Sequence, residues 1–224
     1  MAPWPTGFVG FDLETTGTDP AADRIVSAAC VRMRDGVRES VRNWLVDPGI
    51  PIPASASAVH GITDERVRSE GMPSALAVPQ IVDELHGAWA RGDAVVIYNA
   101  SFDFPLIVNE AQRHATSVNL DGLILDPLVL WRRFERYRPG KRRLSDAVEA
   151  FGVELVDAHD ATADATAAVE VMLALLTWQE LREQPVDQLM KLQQQWHREW
   201  AESFQAWGQS RGLDFSDVRL TWPL

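Results

Sequence analysis

The chain has 224 residues, room for one domain with an extension, and 46% hydrophobic with 24% charged residues excludes global disorder. A formal net charge of −11 excludes a protein that holds nucleic acid through a uniformly basic surface, and the single Cys30 excludes an intrachain disulfide or a cysteine-rich zinc site. The opening residues carry neither a basic stretch nor an apolar run, and the longest strongly apolar stretch, Val169 to Leu176, is too short to span a bilayer, so a soluble, cytoplasmic protein is expected.

Phe8 to Leu13 (FVGFDL) reads as a buried strand closed by Thr15-Thr16-Gly17. Arg24 to Met33 is a second strand, Arg34-Asp35-Gly36 a hairpin turn, and Val37 to Val46 the returning strand. Asp47 to Ala58, with three prolines, reads as a loop before Val59-His60-Gly61-Ile62-Thr63. Thr63 is placed to cap a helix whose first turn holds Asp64 and Glu65. Ser74 to Ala90 is helical in pattern, with Pro79 predicted to kink it or mark its true start.

Ala94 to Tyr98 is another buried strand, and Asn99 to Phe104 turns into a helix reaching about His114. Leu123 to Asp126 is a short strand feeding a helix through Trp131 and Phe134. Pro139-Gly140 precedes a helix from Leu144 to Phe151 that Gly152 stops, and Ala161 to Leu181 reads as one long alanine-rich helix. A three-strand meander followed by alternating helix and strand predicts an α/β fold with a mixed sheet and helices packed on it. From Pro185 onward the pattern changes. Leu189, Leu192, Trp196, Trp200, Phe204 and Trp207 recur at helical spacing above a glutamine-rich face, an appended amphipathic helix followed by an irregular tail, Asp214 to Leu224. The expected division is therefore residues 1–184 as the catalytic domain and 185–224 as a C-terminal extension.

Asp12 and Glu14 lie two apart at a strand end, where alternation puts both carboxylates on one face, roughly 6–7 Å apart. Such a pair suits a hard divalent cation, although a solvated strand end gives the same letters. Asp103 follows a second apolar strand at a helix start, where Ser101 or Asp103 is equally placed to act as a cap. His159 stands five residues before Asp164 at a third helix start, where small polar residues also make ordinary caps.

The order of the three segments carries more than any one of them. FDLETTG, NASFDF and HDATADA, at strand-end, strand-to-helix and helix-start positions, resemble the DnaQ-like family of DEDD exonucleases, in the subgroup with histidine in the third motif. The resemblance covers about Phe8 to Leu181, and VHGIT at Val59 to Thr63 matches a further segment typical of the family. A tyrosine subgroup would place its residue four before the last aspartate, where this chain has Asp160. The resemblance implies a ribonuclease H-like mixed five-stranded sheet flanked by helices. It also implies metal-dependent 3′→5′ removal of nucleoside 5′-monophosphates by two magnesium or manganese ions.

Carried over residue by residue, Asp12, Glu14, Asp103 and Asp164 are the implied metal ligands, Asp12 bridging both ions, Glu14 and Asp164 serving one and Asp103 the other. His159 is the implied general base, since an imidazole titrates close to neutrality. Leu13, Thr15 and Thr16 match the stretch that in the family receives the terminal sugar and its 3′ hydroxyl through backbone groups. His60 and Asn99 are expected to order the site, and Ile62 and Phe102 to wedge or stack against terminal bases, with plain core packing as the alternative for those two.

Arg132, Arg133, Arg136, Arg138, Lys141, Arg142 and Arg143 crowd into twelve residues, a phosphate clamp in preference to a solvated helix face. The tryptophan-rich helix offers a surface for a polymerase or a second copy, but self-packing is the favoured reading. The expected partner is nucleic acid with a free 3′ end, DNA ahead of RNA. The rival readings are a catalytically silent adaptor on the same fold and a metal-dependent endonuclease of the ribonuclease H kind. The intact acidic set disfavours the adaptor, and NASFDF with the third-motif histidine disfavours the endonuclease.

Overall fold

The computed structural model describes residues 3–119, 122–154 and 159–224. The six-stranded sheet has the order β4-β3-β2-β1-β5-β6. Its strands are β1 (Gly7–Thr15), β2 (Ile25–Arg34), β3 (Val37–Asp47), β4 (Met72–Pro73), β5 (Ala94–Val96) and β6 (Ile124–Leu125). The first three form the antiparallel meander, and β5 and β6 add parallel to β1. The two-residue β4 pairs parallel with β3 and makes a sixth strand beyond the five expected. A segment this short leaves no hydrophobic alternation to read in advance.

Asp35 and Gly36, both at positive φ, close the β2–β3 hairpin as its twist demands. β1 is buried along nearly its whole length, as befits a central strand paired on both edges.

The helices are α1 (Ala54–His60), α2 (Asp64–Glu70), α3 (Ser74–Ala90), α4 (Ala100–Arg113), α5 (Pro127–Phe134), α6 (Leu144–Phe151), α7 (Ala161–Leu175), α8 (Gln179–Arg182) and α9 (Leu189–Gln209). α1 corrects the loop reading of residues 47–58: alanine-rich Ala54–Ala58 starts helical directly after Pro53, and Gly61 ends it in the left-handed conformation. Thr63 caps α2 as expected, its side chain accepting from the Arg66 N–H. Pro79 lies inside α3 and does not mark its start. The strand before α4 stops at Val96, although the Ile97 N–H still bonds the Leu125 carbonyl. The predicted helix to Leu181 divides at Leu175, where the Thr177 hydroxyl turns back onto the Ala174 carbonyl and α8 follows separately. Among the described residues no helix is long and apolar enough to cross a membrane.

Two packing arrangements position the site. α7 lies against β1 and β2, and the approach is closest at Gly10, where a Cβ would stand 2.1 Å from the Ala165 carbonyl oxygen. The second is the buried Asp126 carboxylate. It accepts from the Asn99 and Ala100 N–H groups at the start of α4 (3.0 and 2.9 Å) and from Leu128 N–H at the start of α5 (2.9 Å). The Trp222 indole N–H, from the C-terminal tail, donates to it at 2.9 Å. Buried Gln193 of α9 adds a clasp beside it, accepting from the Asp126 N–H at 2.8 Å and donating to the Ile124 carbonyl at 2.8 Å. The C-terminal segment is thus hydrogen-bonded into the end of the parallel strands. Such networks satisfy buried polar groups that would otherwise be costly.

Both arrangements are open to test by urea denaturation. Gly10→Ala forces a methyl into the α7 backbone and is expected to cost about 2–3 kcal/mol. Trp222→Phe leaves a buried carboxylate oxygen short of a donor and is expected to cost about 1–3 kcal/mol, whereas the exposed Leu224→Ala should change stability little.

Candidate active site

Asp12, Leu13, Glu14, Asn99, Phe102, Asp103, His159 and Asp164 all line one cavity of about 720 Å³. Three elements bring the acids together. β1 delivers Asp12 and Glu14, paired across the ladder with Ala29 and Ser27. α4 delivers Asp103, buried in its first turn, whose Oδ1 accepts from the Leu13 N–H at 3.2 Å and so ties α4 to β1. α7 delivers Asp164 from its first turn, next to the Gly10 contact.

The donors at the starts of α7 and α4 go to Asp160 and Asp126 and not to Asp164 and Asp103. Asp160 caps α7, accepting from Thr162 and Ala163 N–H groups, and so spares Asp164 that task. At α4 the cap residue Asn99 makes no side-chain capping bond; the N-terminal donors go to Asp126. Asn99 itself sits at φ 71, and its Oδ1 accepts from the Ser101 hydroxyl.

The carboxylates strain against one another. Removal from water, then the charges of Asp103, Asp164, Glu14 and Asp160, hold Asp12 well above the ordinary carboxylate range. Burial pushes Glu14 up to about 8, with Asp164 and Asp160 adding to it. Asp103 and Asp164 are also raised chiefly by burial, opposed by backbone donors at Leu13 and His159 respectively. Asp164 Oδ1 is buried without a hydrogen-bond partner among the described residues.

The donor set fits a divalent cation. Ligand atoms of Glu14, His159 and Asp164 lie within 4.8 Å of one another, and hard oxygen donors with an orphaned buried oxygen are what such an ion satisfies. His159 is exposed, occupies the left-handed region at φ 69, uncommon for a residue with a Cβ, and donates its backbone N–H to Asp164 Oδ2 at 3.3 Å.

The remaining sequence-derived candidates divide. His60 and Ile62 line a second cavity of about 240 Å³, to which Glu14 and His159 also contribute. His60 Nδ1 accepts from the Ile62 N–H at 3.1 Å, and burial draws its pKa down. Ile62 is buried with Val26, Ile52 and Val67, so packing accounts for most of its side chain. The Thr15 and Thr16 side chains line neither cavity. Thr15 donates to the Gly17 carbonyl and Thr16 to Asp23 Oδ1, which shape the turn after β1.

The basic segment joins the acidic site only in part: Arg132, Lys141, Arg142 and Arg143 line the main cavity. Arg133 pairs with Glu199, Arg138 with Glu135, and Arg143 with Asp146. Arg142 Nη2 donates to the Glu135 and Arg138 carbonyls, and the Tyr98 hydroxyl donates to the Arg142 carbonyl at 2.9 Å, which fixes this loop over the cavity. Burial brings Arg132 down to about 10, so it remains a cation at neutral pH. Sequence reasoning missed Tyr98, Leu128, Trp200 and Phe204 in the cavity lining, and Asp126 behind it. Only Asp126 carried a signal, an aspartate at a strand end immediately before Pro127, the pattern of a helix cap.

The exonuclease (RNase_T) family model matches residues 9–172. The chain belongs to this exonuclease family, and its sheet is of the ribonuclease H-like kind. It is 34% identical over 174 residues to a DNA polymerase III subunit epsilon-like protein of Rhodobacter capsulatus, a match covering 75% of this chain and 23% of that protein. Among solved structures, exonuclease I superimposes with a TM-score of 0.69 at 25% identity, covering 80% of this chain and 42% of that one. A zinc-bound E. coli exonuclease I–single-stranded DNA complex superimposes with a TM-score of 0.66 at 25% identity, over 80% and 42% of the two chains. The chain thus spans less than half the length of each.

The raised carboxyls predict an unusual pH dependence in the metal-free protein. A group whose pKa is higher folded than unfolded keeps a proton that the unfolded chain has released. Stability therefore falls as pH rises from the ordinary carboxylate range, about 4.3 for a free glutamate, towards the value of about 8 at Glu14. Thermal melts in EDTA should show Tm dropping across that window, and manganese should restore it most at the alkaline end. A flat Tm in EDTA between these limits would contradict the clustered-carboxylate picture.

Proposed function

We propose that the protein is a metal-dependent 3′→5′ exonuclease that hydrolyses terminal phosphodiesters of DNA in preference to RNA and releases nucleoside 5′-monophosphates. The observation that carries the reading is the convergence of Asp12, Glu14, Asp103, Asp164 and His159 on one cavity, with a buried Asp164 oxygen left unpartnered among the described residues. Membership of the exonuclease family, and the likeness to exonuclease I and to an epsilon-like polymerase subunit, support it.

Asp12, Glu14, Asp103 and Asp164 would hold the divalent cations, magnesium or manganese, in the family's two-ion arrangement. When bound, such ions lower the pKa of water and neutralise charge developing at phosphorus and on the departing 3′ oxygen. The chain's own groups do the rest. The Asp103–Leu13 hydrogen bond fixes α4 against β1, so two of the acids cannot drift apart. Asp160 anchors the first turn of α7 and holds Asp164 in register with Glu14. His159, exposed at the cavity lip and tied through its backbone to Asp164, is the group in reach of solvent to accept a proton from the attacking water at a ring nitrogen. Leu13, Asn99 and Phe102 line the same cavity and are assigned to hold the terminal nucleotide.

The test is digestion of matched 5′-labelled single-stranded DNA and RNA with magnesium, manganese or EDTA. Products should shorten from the 3′ end only with metal, and circular DNA should survive. Asp12→Ala and Asp164→Ala should abolish turnover. His159→Ala should lower kcat by about 10²–10⁴-fold while calorimetric manganese affinity changes far less. Wild-type rates in either aspartate variant would sink the assignment, and uncut linear strands under every metal would return the protein to the silent adaptor reading.

A further inference from the structure

The glutamine-rich face of α9 borders a separate cavity of about 380 Å³, with Lys191, Gln194, Gln195 and Arg198 on one wall and Leu220 and Leu224 on the other. Among the described residues it shares none with the acidic cavity. At 3.6 residues per turn, Lys191 and Arg198 project from the side of the helix opposite Trp200 and Phe204. Both walls lie beyond residue 172, where the family match ends.

The wall after α9 is pinned at three points. Buried His197 donates from Nε2 to the Arg219 carbonyl at 2.9 Å, Gln205 Nε2 donates to the Val218 carbonyl at 2.9 Å, and the Trp222 indole donates to Asp126. Between these anchors the main-chain groups of Leu220 and Thr221 make no hydrogen bond among the described residues. A fixed segment with unpaired N–H and carbonyl groups is an edge to which an extended peptide can add.

Charge decides which peptide fits. The chain carries a net −11, yet among the described residues no acidic side chain lines this cavity. Lys191 and Arg198 are exposed, and among the described residues neither has an ion-pair partner or lies on an aromatic ring. Glu199, the neighbour of Arg198 in the chain, is engaged by Gln195 and Arg133 instead. The two cations stand about 10 Å apart along the helix axis, the reach of three extended residues. Opposite them is apolar surface, with Leu224 46% exposed. A nucleic-acid strand finds no open ring to stack on, since Trp222 is 2% exposed.

We propose that this groove docks an acidic, extended segment of a partner protein. Its main chain pairs with Leu220 and Thr221, its carboxylates meet Lys191 and Arg198, and an apolar side chain lies against Leu220 and Leu224. Such docking is independent of the chemistry in the acidic cavity.

The probe is a fluorescein-labelled nonapeptide of three Asp-Asp-Leu repeats, its binding read by anisotropy in EDTA. It should bind saturably and more weakly as salt rises, and the Lys-Lys-Leu analogue should not bind. Lys191→Gln combined with Arg198→Gln should weaken binding by about tenfold or more. Leu224→Ala should weaken it by about fivefold, and Lys191→Arg should retain it. Thermal melts of all these variants should match wild type, since each altered side chain is exposed. An unlabelled thymidine decanucleotide should leave the peptide in place. Displacement by that strand makes the groove a general polyanion surface and overturns the peptide assignment. Absence of saturable binding, or unchanged affinity in the double variant, overturns it equally.

Discussion

The contact on which the site depends is the backbone approach between α7 and β1 at Gly10. With no side chain there, the Ala165 carbonyl sits where a methyl would otherwise be, and the helix settles directly onto the central strand. Asp164 is the residue immediately before that contact, and Asp12 lies two residues beyond Gly10 along the strand. A larger residue at Gly10 would lift the helix and separate carboxylates that work only as a cluster. One missing Cβ therefore sets the distance between two of the acidic elements, and the Leu13–Asp103 hydrogen bond secures the third.

Holding four carboxylates together works against folding. Each is raised by burial, and three of them also by one another. The remainder of the fold supplies the rigidity this requires. Asp126 gathers the starts of α4 and α5 and the indole of Trp222, and Gln193 fastens α9 beside it. α4 carries Asp103, α5 carries Arg132, and α9 carries Trp200, so one buried carboxylate aligns the acidic side of the cavity with its basic and aromatic side. A charge network at the opposite end of the sheet, Asp93 with Arg32, Arg34 and Arg91, has no such connection to the cavity and serves to close the strand ends.

The strands, the meander and most helices were legible because their signals are local. FVGFDL has the apolar continuity of a central strand, Asp35-Gly36 the backbone freedom of a tight hairpin, and Thr63 and Gly152 the chemistry of helix ends. The acidic candidates were legible for a different reason: each alone reads as an ordinary strand end or helix cap, and only the order of FDLETTG, NASFDF and HDATADA, matched to a family, singled them out. The errors fell where local signals conflict. Prolines at 48, 51 and 53 concealed the short α1, and alanine richness ran the α7 prediction past a turn closed by one threonine hydroxyl.

The sequence by itself thus determined the fold class and most of the element order, because those depend on side chains acting within a few residues of their own backbone, and the order of its three motifs named the acidic candidates through a family resemblance. Only the tertiary structure decided that Asp126 is the internal clasp, that the Thr15 and Thr16 hydroxyls bond Gly17 and Asp23, and that Trp200 and Phe204 line the same space as the carboxylates. The first and last of these depend on meetings between residues tens of positions apart, such as Asp126 with Trp222 and Arg132 with Trp200. No periodicity or spacing encodes such a meeting, because it is set by how the helices pack on the sheet once the close approach at Gly10 has been made.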